Sequence, residues 1–320
     1  MSEADTPLSL RVARAYPAAE GIRVFELCDP DGADLPPFTP GAHVGVRTPS
    51  GLLRKYSLCN DGAARDRYVI AVKREPQGRG GSASMVDACR EGDGLRCSLP
   101  RNDFPLAEKA KAFLFIAGGI GITPIVAMVR HLATRGDVPF ALHYLTRSPA
   151  ETAFLDELSA PAYAGKVFVH HDGGDPARAF DLWPLLERPR AVHVYACGPR
   201  GLLQAIRDMS GHWPQSAIHI ESFADAGTLA VPEDRPFRVR LARTGETLDV
   251  PADRSILETL RAHGLDVPSS CESGTCGTCR TRLLGGVADH RDLVLSESEH
   301  QDAIMVCVSR ARSPEIVIDR

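Results

Sequence analysis

Four cysteines constrain this chain more than any other feature. Cys271, Cys276 and Cys279 fall within nine residues, in CESGTCGTC, and Cys307 follows in AIMVCVSR after 27 intervening residues. If the four thiols meet, a loop must curl round them while a distant segment delivers the last. The residues between them allow it: Ser273, Gly274, Thr275, Gly277 and Thr278 are small, so the backbone can turn tightly. Cys307 lies in an apolar, β-like stretch suited to a rigid core. The amino terminus, MSEADTPLSL, lacks the basic and apolar regions of a secretory signal. The longest apolar runs, such as AFLFIAGG, are too short to cross a bilayer. A cytoplasmic location is expected, with no membrane partner. Thiols there stay reduced, so a cluster of them points to a metal or to catalysis rather than to disulfides. Cys28, Cys59, Cys89 and Cys97 are scattered, without ligand spacing, and read as small core hydrophobes.

Two metal readings compete for the clustered set. Structural zinc sites usually pair two close C-x2-C or H-x3-H units. Here one close pair, one x4 gap and one lone distant cysteine give C-x4-C-x2-C…C, the plant-type 2Fe–2S spacing. The spacing favours the cluster, and backbone N–H groups of such a loop would point at the sulfurs and tune their potential.

A chain of 320 residues favours two or three domains. Its net charge of −4, without a basic run, gives no reason to expect nucleic acid. Segments such as AHVGVRT and RYVIAVKRE alternate and are broken by Pro, Gly and Asp, which predicts a small antiparallel barrel over the first hundred residues. The pattern changes near Lys109. AFLFIAG reads as a buried parallel strand, followed by a Gly turn and a helix with Thr123 as N-cap and Pro124 as its first residue. A strand at Phe140–Leu145, a helix near Glu151–Leu158, a strand at Lys166–His170, the strand AVHVYAC and the helix in GPRGLLQAIRDM continue the alternation, which means a parallel α/β sheet. ADAGTLAVPEDRP reads as a linker. FRVRLAR and ETLDVP then predict a hairpin, and Ser255–His263 a short helix before the cysteine loop.

Two Gly turns follow strands on that sheet. AGGIGITP contains Gly119, Gly121 and Thr123, and CGPRG contains Cys197, Gly198 and Pro199. Neither is the G-x-G-x-x-G fingerprint. Together they mark a crevice at strand ends where helix N-termini could meet a pyrophosphate. In the barrel, RKYSLCN sets Arg54, Lys55, Tyr56 and Ser57 in one stretch, able to stack a flat ring, bond its edge and pair a phosphate. GRGGSAS, with Gly80, Gly81 and Ser82, opens a helix and suits a phosphate too. The adjacent His170 and His171 read as a strand-end pair rather than a metal site.

The order R-x-Y-S, G-I-G-I-T-P, C-G-P and a C-terminal plant-type ferredoxin loop resembles the phthalate dioxygenase reductase family, the flavin and iron–sulfur reductases of bacterial oxygenase systems. The likeness runs over nearly the whole chain and includes RGGS, HVYACGP, GHWP, ESF and DHRD. It implies an antiparallel flavin barrel at 1–106, an NAD-binding α/β domain at 107–225, a linker at 226–236 and a β-grasp 2Fe–2S ferredoxin domain at 237–320. By resemblance, Arg54 would bind the flavin phosphate with Gly80, Gly81 and Ser82. Tyr56 would stack near the isoalloxazine, Ser57 would bond near N5, and Val72 and Lys73 would line the ring and its chain. Thr123 would lie between flavin and nicotinamide, and Phe223 would cover the ring face that nicotinamide must reach. Ser57, Thr123 and Phe223 are thus the residues nearest the reaction, and Cys271, Cys276, Cys279 and Cys307 are the cluster ligands. FMN rather than FAD also rests on the resemblance. So does NADH rather than NADPH: Arg147 could pair a 2′-phosphate, but no second basic residue accompanies it, and Asp172 would oppose such a phosphate.

The expected activity is electron transfer from NADH through FMN to the 2Fe–2S cluster and on to an oxygenase or demethylase component, first of all a Rieske-type one. A monomer is expected. Alternatives are a stand-alone flavin or quinone reductase, or a binding module with structural zinc.

Overall fold

A computed structural model describes residues 7–76, 78, 80–223 and 234–320. Contacts divide the chain into two units, Met1–Ile220 and Glu221–Arg320.

The first unit opens with the strands β1 (Leu8–Ala19), β2 (Ile22–Cys28), β3 (His43–Arg47), β4 (Leu53–Ser57) and β5 (Tyr68–Lys73). With β6 (Gly94–Cys97), after helix α1 (Gly81–Ala88), they form one antiparallel sheet in the order β4-β3-β6-β1-β2-β5. The sheet curls until its ends meet. Leu58 bridges Ile70, and Cys59 N donates to Val69 O at 2.7 Å. The two-residue period decides which side chains fill the barrel. Ile70 and Val72 join Phe25, Leu27, Val44 and Val46 inside it. Val69 and Ala71 point outward, into the core shared with Phe113, Phe115, Ile122 and Ile125 of the next sheet. Barrel and α/β layer therefore form a single unit, though their sheets are separate.

The parallel sheet takes β7 (Phe113–Gly118), β8 (Phe140–Thr146), β9 (Val167–His171), β10 (His193–Cys197) and β11 (Ile218–Glu221), in the order β11-β10-β7-β8-β9. Helix α2 (Ile122–Arg135) follows β7, and α5 (Arg200–Met209) follows β10. Short helices α3 (Leu155–Leu158) and α4 (Trp183–Leu186) lie between. Two local expectations change. The helix after β7 starts at Ile122 with Gly121 as N-cap, and Thr123 donates its hydroxyl back to Ile120 O at 3.0 Å instead of capping. The helix expected near Glu151–Leu158 is broken, with Phe154 at φ 59° before α3. Arg130 holds that break: its guanidinium lies 5.2 Å from the Phe154 ring centroid and pairs with Glu157. Cys59, Cys89 and Cys97 are buried as expected, whereas Cys28 is half-buried, with the Arg11 guanidinium 3.4 Å from its sulfur.

In the second unit, β12 (Phe237–Leu241) and β13 (Thr247–Val250) form the expected hairpin. Helix α6 (Ile256–Ala262) buries Ile256, Leu257 and Leu260 against the sheet. Its start is held by a capping box: Ser255 accepts from Glu258 N, and the Glu258 carboxylate accepts from Ser255 N. Strands β14 (Arg280–Gly285), β15 (Ala288–Asp289), β16 (Ala303–Met305), β17 (Arg310–Ala311) and β18 (Glu315–Ile318) complete it. The main sheet runs β13-β12-β18-β14-β16, with β12 and β18 parallel at its centre, and the helix packs on one face. This is a β-grasp arrangement. Of the expected linker 226–236, residues 226–233 lie outside the described residues.

Candidate functional site

The cysteine loop is shaped by backbone positions that few residues tolerate. Glu272, Gly274 and Gly277 all have positive φ, at 58°, 76° and 82°. Gly274 has a second requirement. A Cβ there would lie 2.7 Å from Val308 Cγ2 and 3.1 Å from Asp292 Cα, so the loop passes directly over the segment that carries Cys307. Leu293 N donates to Gly274 O at 2.8 Å and fastens that crossing. Arg261 of α6 donates to Glu272 Oε1 at 2.9 Å, and Ser269 donates to the same carboxylate oxygen at 2.9 Å.

The loop brings the four thiols together in two pairs. Cys271 N donates to Cys276 Sγ at 3.4 Å, and Ser273 N donates to Cys271 Sγ at 3.4 Å. Cys279 and Cys307, both buried, form the second pair through their own thiol hydrogen bond. Within each pair one sulfur favours its thiolate. A hydrogen bond from Cys276 lowers the pKa of Cys271, and one from Cys307 lowers that of Cys279. Four thiols in two pairs, with backbone N–H groups on the sulfurs, fit a 2Fe–2S cluster with one pair per iron.

In the barrel, RKYS and GGS meet. A Cβ on Gly81 would stand 2.9 Å from Arg54 Cγ and Nε, so only glycine lets the arginine lie across the start of α1. The N-cap of that helix is Gly80, φ 86°, with no side-chain cap, and Ser82 Oγ accepts from Glu75 N at 3.1 Å. A guanidinium beside uncapped N–H groups could hold a phosphate. Two residues along β4, Tyr56 has a buried hydroxyl without a partner among the described residues, and burial pushes its pKa up. Buried hydroxyls normally bond something. The orphan Oη fits a flavin whose polar edge supplies the missing partner. Ser57, next on the strand, is buried. Val72 places its side chain inside the barrel core, and Lys73 is exposed beside it.

The Gly turns of the parallel sheet also meet. A Cβ on Gly121 would lie 2.2 Å from Cys197 O. One on Gly118 would lie 2.7 Å from Pro199 Cδ and Leu202 Cδ2, and one on Gly198 would lie 3.0 Å from Gly118 Cα. Backbone packs on backbone, with α2 and α5 both starting there without side-chain caps. From β7 the chain leaves to β8 on one side and returns to β10 on the other, so this is the switch point of the sheet. Nucleotides bind at such points, and the uncapped N–H groups suit a pyrophosphate. Gly119 and buried Thr123 lie on the same turn, which packs near β5 of the barrel. The loop after β8 meets the loop after β9: Gly173 N donates to Arg147 O at 2.8 Å, and Asp172 accepts from Gly174 N at 2.7 Å. That puts the Asp172 turn against Arg147 and suits an unphosphorylated ribose. Phe223, 44% exposed, follows β11 at the head of the second unit.

Sequence reasoning missed the histidine pairs. His143 Nδ1 lies 3.1 Å from His170 Nε2, and His193 Nδ1 lies 2.9 Å from His219 Nε2. Each pair joins neighbouring strands of the sheet, which sequence distance conceals. His171 instead lies with its Nε2 3.1 Å from Thr152 Oγ1.

Comparison with known proteins agrees with this geometry. Residues 239–312 match the family described as 2Fe-2S iron-sulfur cluster binding domain. The chain is 54% identical to a phthalate dioxygenase reductase of Burkholderia cepacia over 98% of this chain and 97% of the relative. It is 42% identical to a vanillate O-demethylase oxidoreductase of Pseudomonas putida over 94% of this chain and 96% of that protein. A solved phthalate dioxygenase reductase, described as a modular structure for electron transfer from pyridine nucleotides to 2Fe-2S, aligns with a TM-score of 0.78, 54% identity and 98% coverage of both chains.

Proposed function

The chain belongs to the phthalate dioxygenase reductase family, and from that membership we propose how its own residues serve the electron path. It is an NADH-dependent flavin and iron–sulfur oxidoreductase, the reductase component of an oxygenase system. When bound, FMN takes up the two electrons of a hydride from NADH and releases them singly to the 2Fe–2S cluster.

Arg54, Ser82 and the open N-terminus of α1 hold the flavin phosphate, with Gly80 and Gly81 leaving room for it. Tyr56 lies along the ring and gives its otherwise unpaired hydroxyl to a polar atom of the flavin. Ser57 bonds the ring edge, and Lys55 and Lys73 hold its chain. Gly119, Gly121, Gly198 and Pro199, with Cys197 at the strand end, let the NADH pyrophosphate approach the N-termini of α2 and α5. Thr123 has its hydroxyl tied to Ile120 O, which presents a fixed surface where nicotinamide meets flavin. Cys271 with Cys276 and Cys279 with Cys307 each hold one iron. The observation that carries the reading is this pairing of four thiols, with N–H donors already aimed at sulfur.

The named relatives serve a phthalate dioxygenase and a vanillate O-demethylase. The partner here is accordingly an oxygenase or demethylase, and a Rieske-type component is the reading we favour. Anaerobic titration of the holoprotein with NADH tests the path: flavin and cluster absorbance should both bleach, and a cluster that stays oxidised would overturn it. Turnover with candidate Rieske components tests the partner. Transfer only to a component lacking a Rieske centre would replace that part of the proposal.

A further inference from the structure

The flavin residues and the dinucleotide turns stand on different layers of the first unit. Arg54, Tyr56 and Ser57 lie on β4 of the barrel, whereas Gly119, Gly121 and Thr123 lie where α2 leaves the parallel sheet. Hydride transfer between groups held in this way depends on how the layers are set against each other, since a misplacement of about 1 Å can cost about 10²-fold in rate. Val69 and Ala71 pack on Phe113, Phe115, Ile122 and Ile125 and join the layers by apolar contact. Beside that contact a cavity of about 670 Å³ opens between them, lined by Tyr16, Glu26 and Asn60 of the barrel and by Phe154 and Glu157 of the α/β layer. Hydrophobic burial is non-directional. A forked, charge-assisted hydrogen-bond pair fixes geometry.

Arg130 supplies such a fork at the edge of this cavity. It lies about two turns further along α2 than Thr123, on the same face. Its Nη1 donates to Cys59 O at 2.6 Å, its Nε donates to Glu157 Oε1 at 2.8 Å, and its Nη2 donates to the other carboxylate oxygen. Cys59 is a fixed point of the barrel. Leu58 bridges Ile70, Cys59 N donates to Val69 O, and Asn60 Oδ1 accepts from Val69 N at 3.0 Å. The guanidinium therefore grips the seam where the barrel closes, on the segment that continues directly from Tyr56 and Ser57. Its other hand holds the loop after β8, where Phe154 keeps a left-handed backbone at φ 59° beneath the guanidinium. Strain of that kind persists only where the surroundings enforce it, and it gathers at functional sites. The same loop takes a second tie from the barrel, since Glu20 N donates to Ala150 O at 2.7 Å.

Given the flavin and dinucleotide positions proposed above, we propose that Arg130 is a positioning residue for hydride transfer: by tying the barrel seam at Cys59 to the α/β layer at Glu157, it sets the flavin strand against the N-terminus of α2. It acts through the segments that carry Ser57 and Thr123. A lysine cannot replace it, because an ammonium is a point charge without the planar fork that serves carboxylate and carbonyl together.

Anaerobic stopped-flow reduction of the flavin by NADH, over a range of NADH concentrations, separates the limiting rate from the NADH dissociation constant. Arg130→Lys keeps the charge and loses the fork, and should lower the limiting rate by about tenfold or more. Its FMN content and NADH dissociation constant should stay within about twofold of wild type. Glu157→Gln, which retains the bond to Cys59, should lower the limiting rate less. In the flavin-free protein, hydrogen exchange at the Glu20 amide should be faster in Arg130→Lys than in wild type, because its acceptor Ala150 lies on the loop that Arg130 holds. Limiting rates equal to wild type in both variants, a loss carried wholly by the dissociation constant, or unchanged exchange at Glu20 overturns the proposal. A wild-type flavin that NADH fails to reduce would instead refute the flavin and dinucleotide sites, and this role with them.

Discussion

Alanine at Gly274 and at Gly277 separates the two demands made on the cysteine loop. Both glycines have left-handed backbone, φ 76° and 82°. A side chain in that region costs about 1–2 kcal/mol. Alanine returns about 0.4–1 kcal/mol by restricting the unfolded chain. At Gly277 nothing else intervenes, since the nearest atom to a new Cβ is Val294 Cγ1 at 3.6 Å. Gly277→Ala should therefore destabilise by about 1 kcal/mol. At Gly274 the Cβ meets Val308 Cγ2 at 2.7 Å and the Asp292 backbone at 3.1 Å. Overpacking adds about 1–3 kcal/mol, for a total near 3 kcal/mol. The assay is anaerobic urea titration of holoprotein, followed by visible circular dichroism of the cluster. With a slope of about 1.5 kcal/mol/M, the midpoint should fall by roughly 2 M for Gly274→Ala and by roughly 0.7 M for Gly277→Ala. Equal shifts would refute the close crossing of loop and Cys307 segment, and leave backbone conformation as the sole demand.

Other outcomes follow from the same geometry. Cys276→Ser should reduce electron delivery to cytochrome c to background while NADH-dependent ferricyanide reduction, taken from the flavin, stays near wild type; equal loss of both would contradict a path that ends at the cysteines. Tyr56→Phe removes a buried hydroxyl with no partner among the described residues, so apoprotein melting should hold or rise, while FMN affinity should fall about 3–10-fold for one lost hydrogen bond, as read by fluorescence titration. His143 and His219 are both held down to about 4, mainly by burial and then by their partner histidines. Their unfolded forms bind protons first, so the stability of the first unit is complete above about pH 6.5 and is lost as pH falls toward about 4. Melting temperatures at pH 7.5, 6 and 5 should decline accordingly, and the double variant His143→Gln, His219→Gln should flatten the decline.

Much of the architecture was legible because it depends on local order. Spacing alone made Cys271, Cys276, Cys279 and Cys307 a ligand set, since x4 and x2 gaps fix which loop can close. Hydrophobic period separated the barrel strands from the buried runs of the parallel sheet, and strand–turn–helix order put both Gly turns at strand ends. Boundaries were less legible. Thr123 has the chemistry of an N-cap, yet Gly121 takes that place because it must pass within contact of Cys197, a residue far off in the sequence. Phe154 interrupts a helix that its neighbours favour because Arg130, on another element, holds it.

What the sequence determined by itself was the kind of chemistry and its order along the chain, because motifs carry their ligands in adjacent residues. Which distant groups share one environment was settled by packing. It paired Cys279 with Cys307, laid Arg54 across Gly81 and left Tyr56 Oη without a partner among the described residues. The physical reason is common to all of these. Spacing specifies what a loop can reach, but burial and the absence of a partner arise only when separate elements pack.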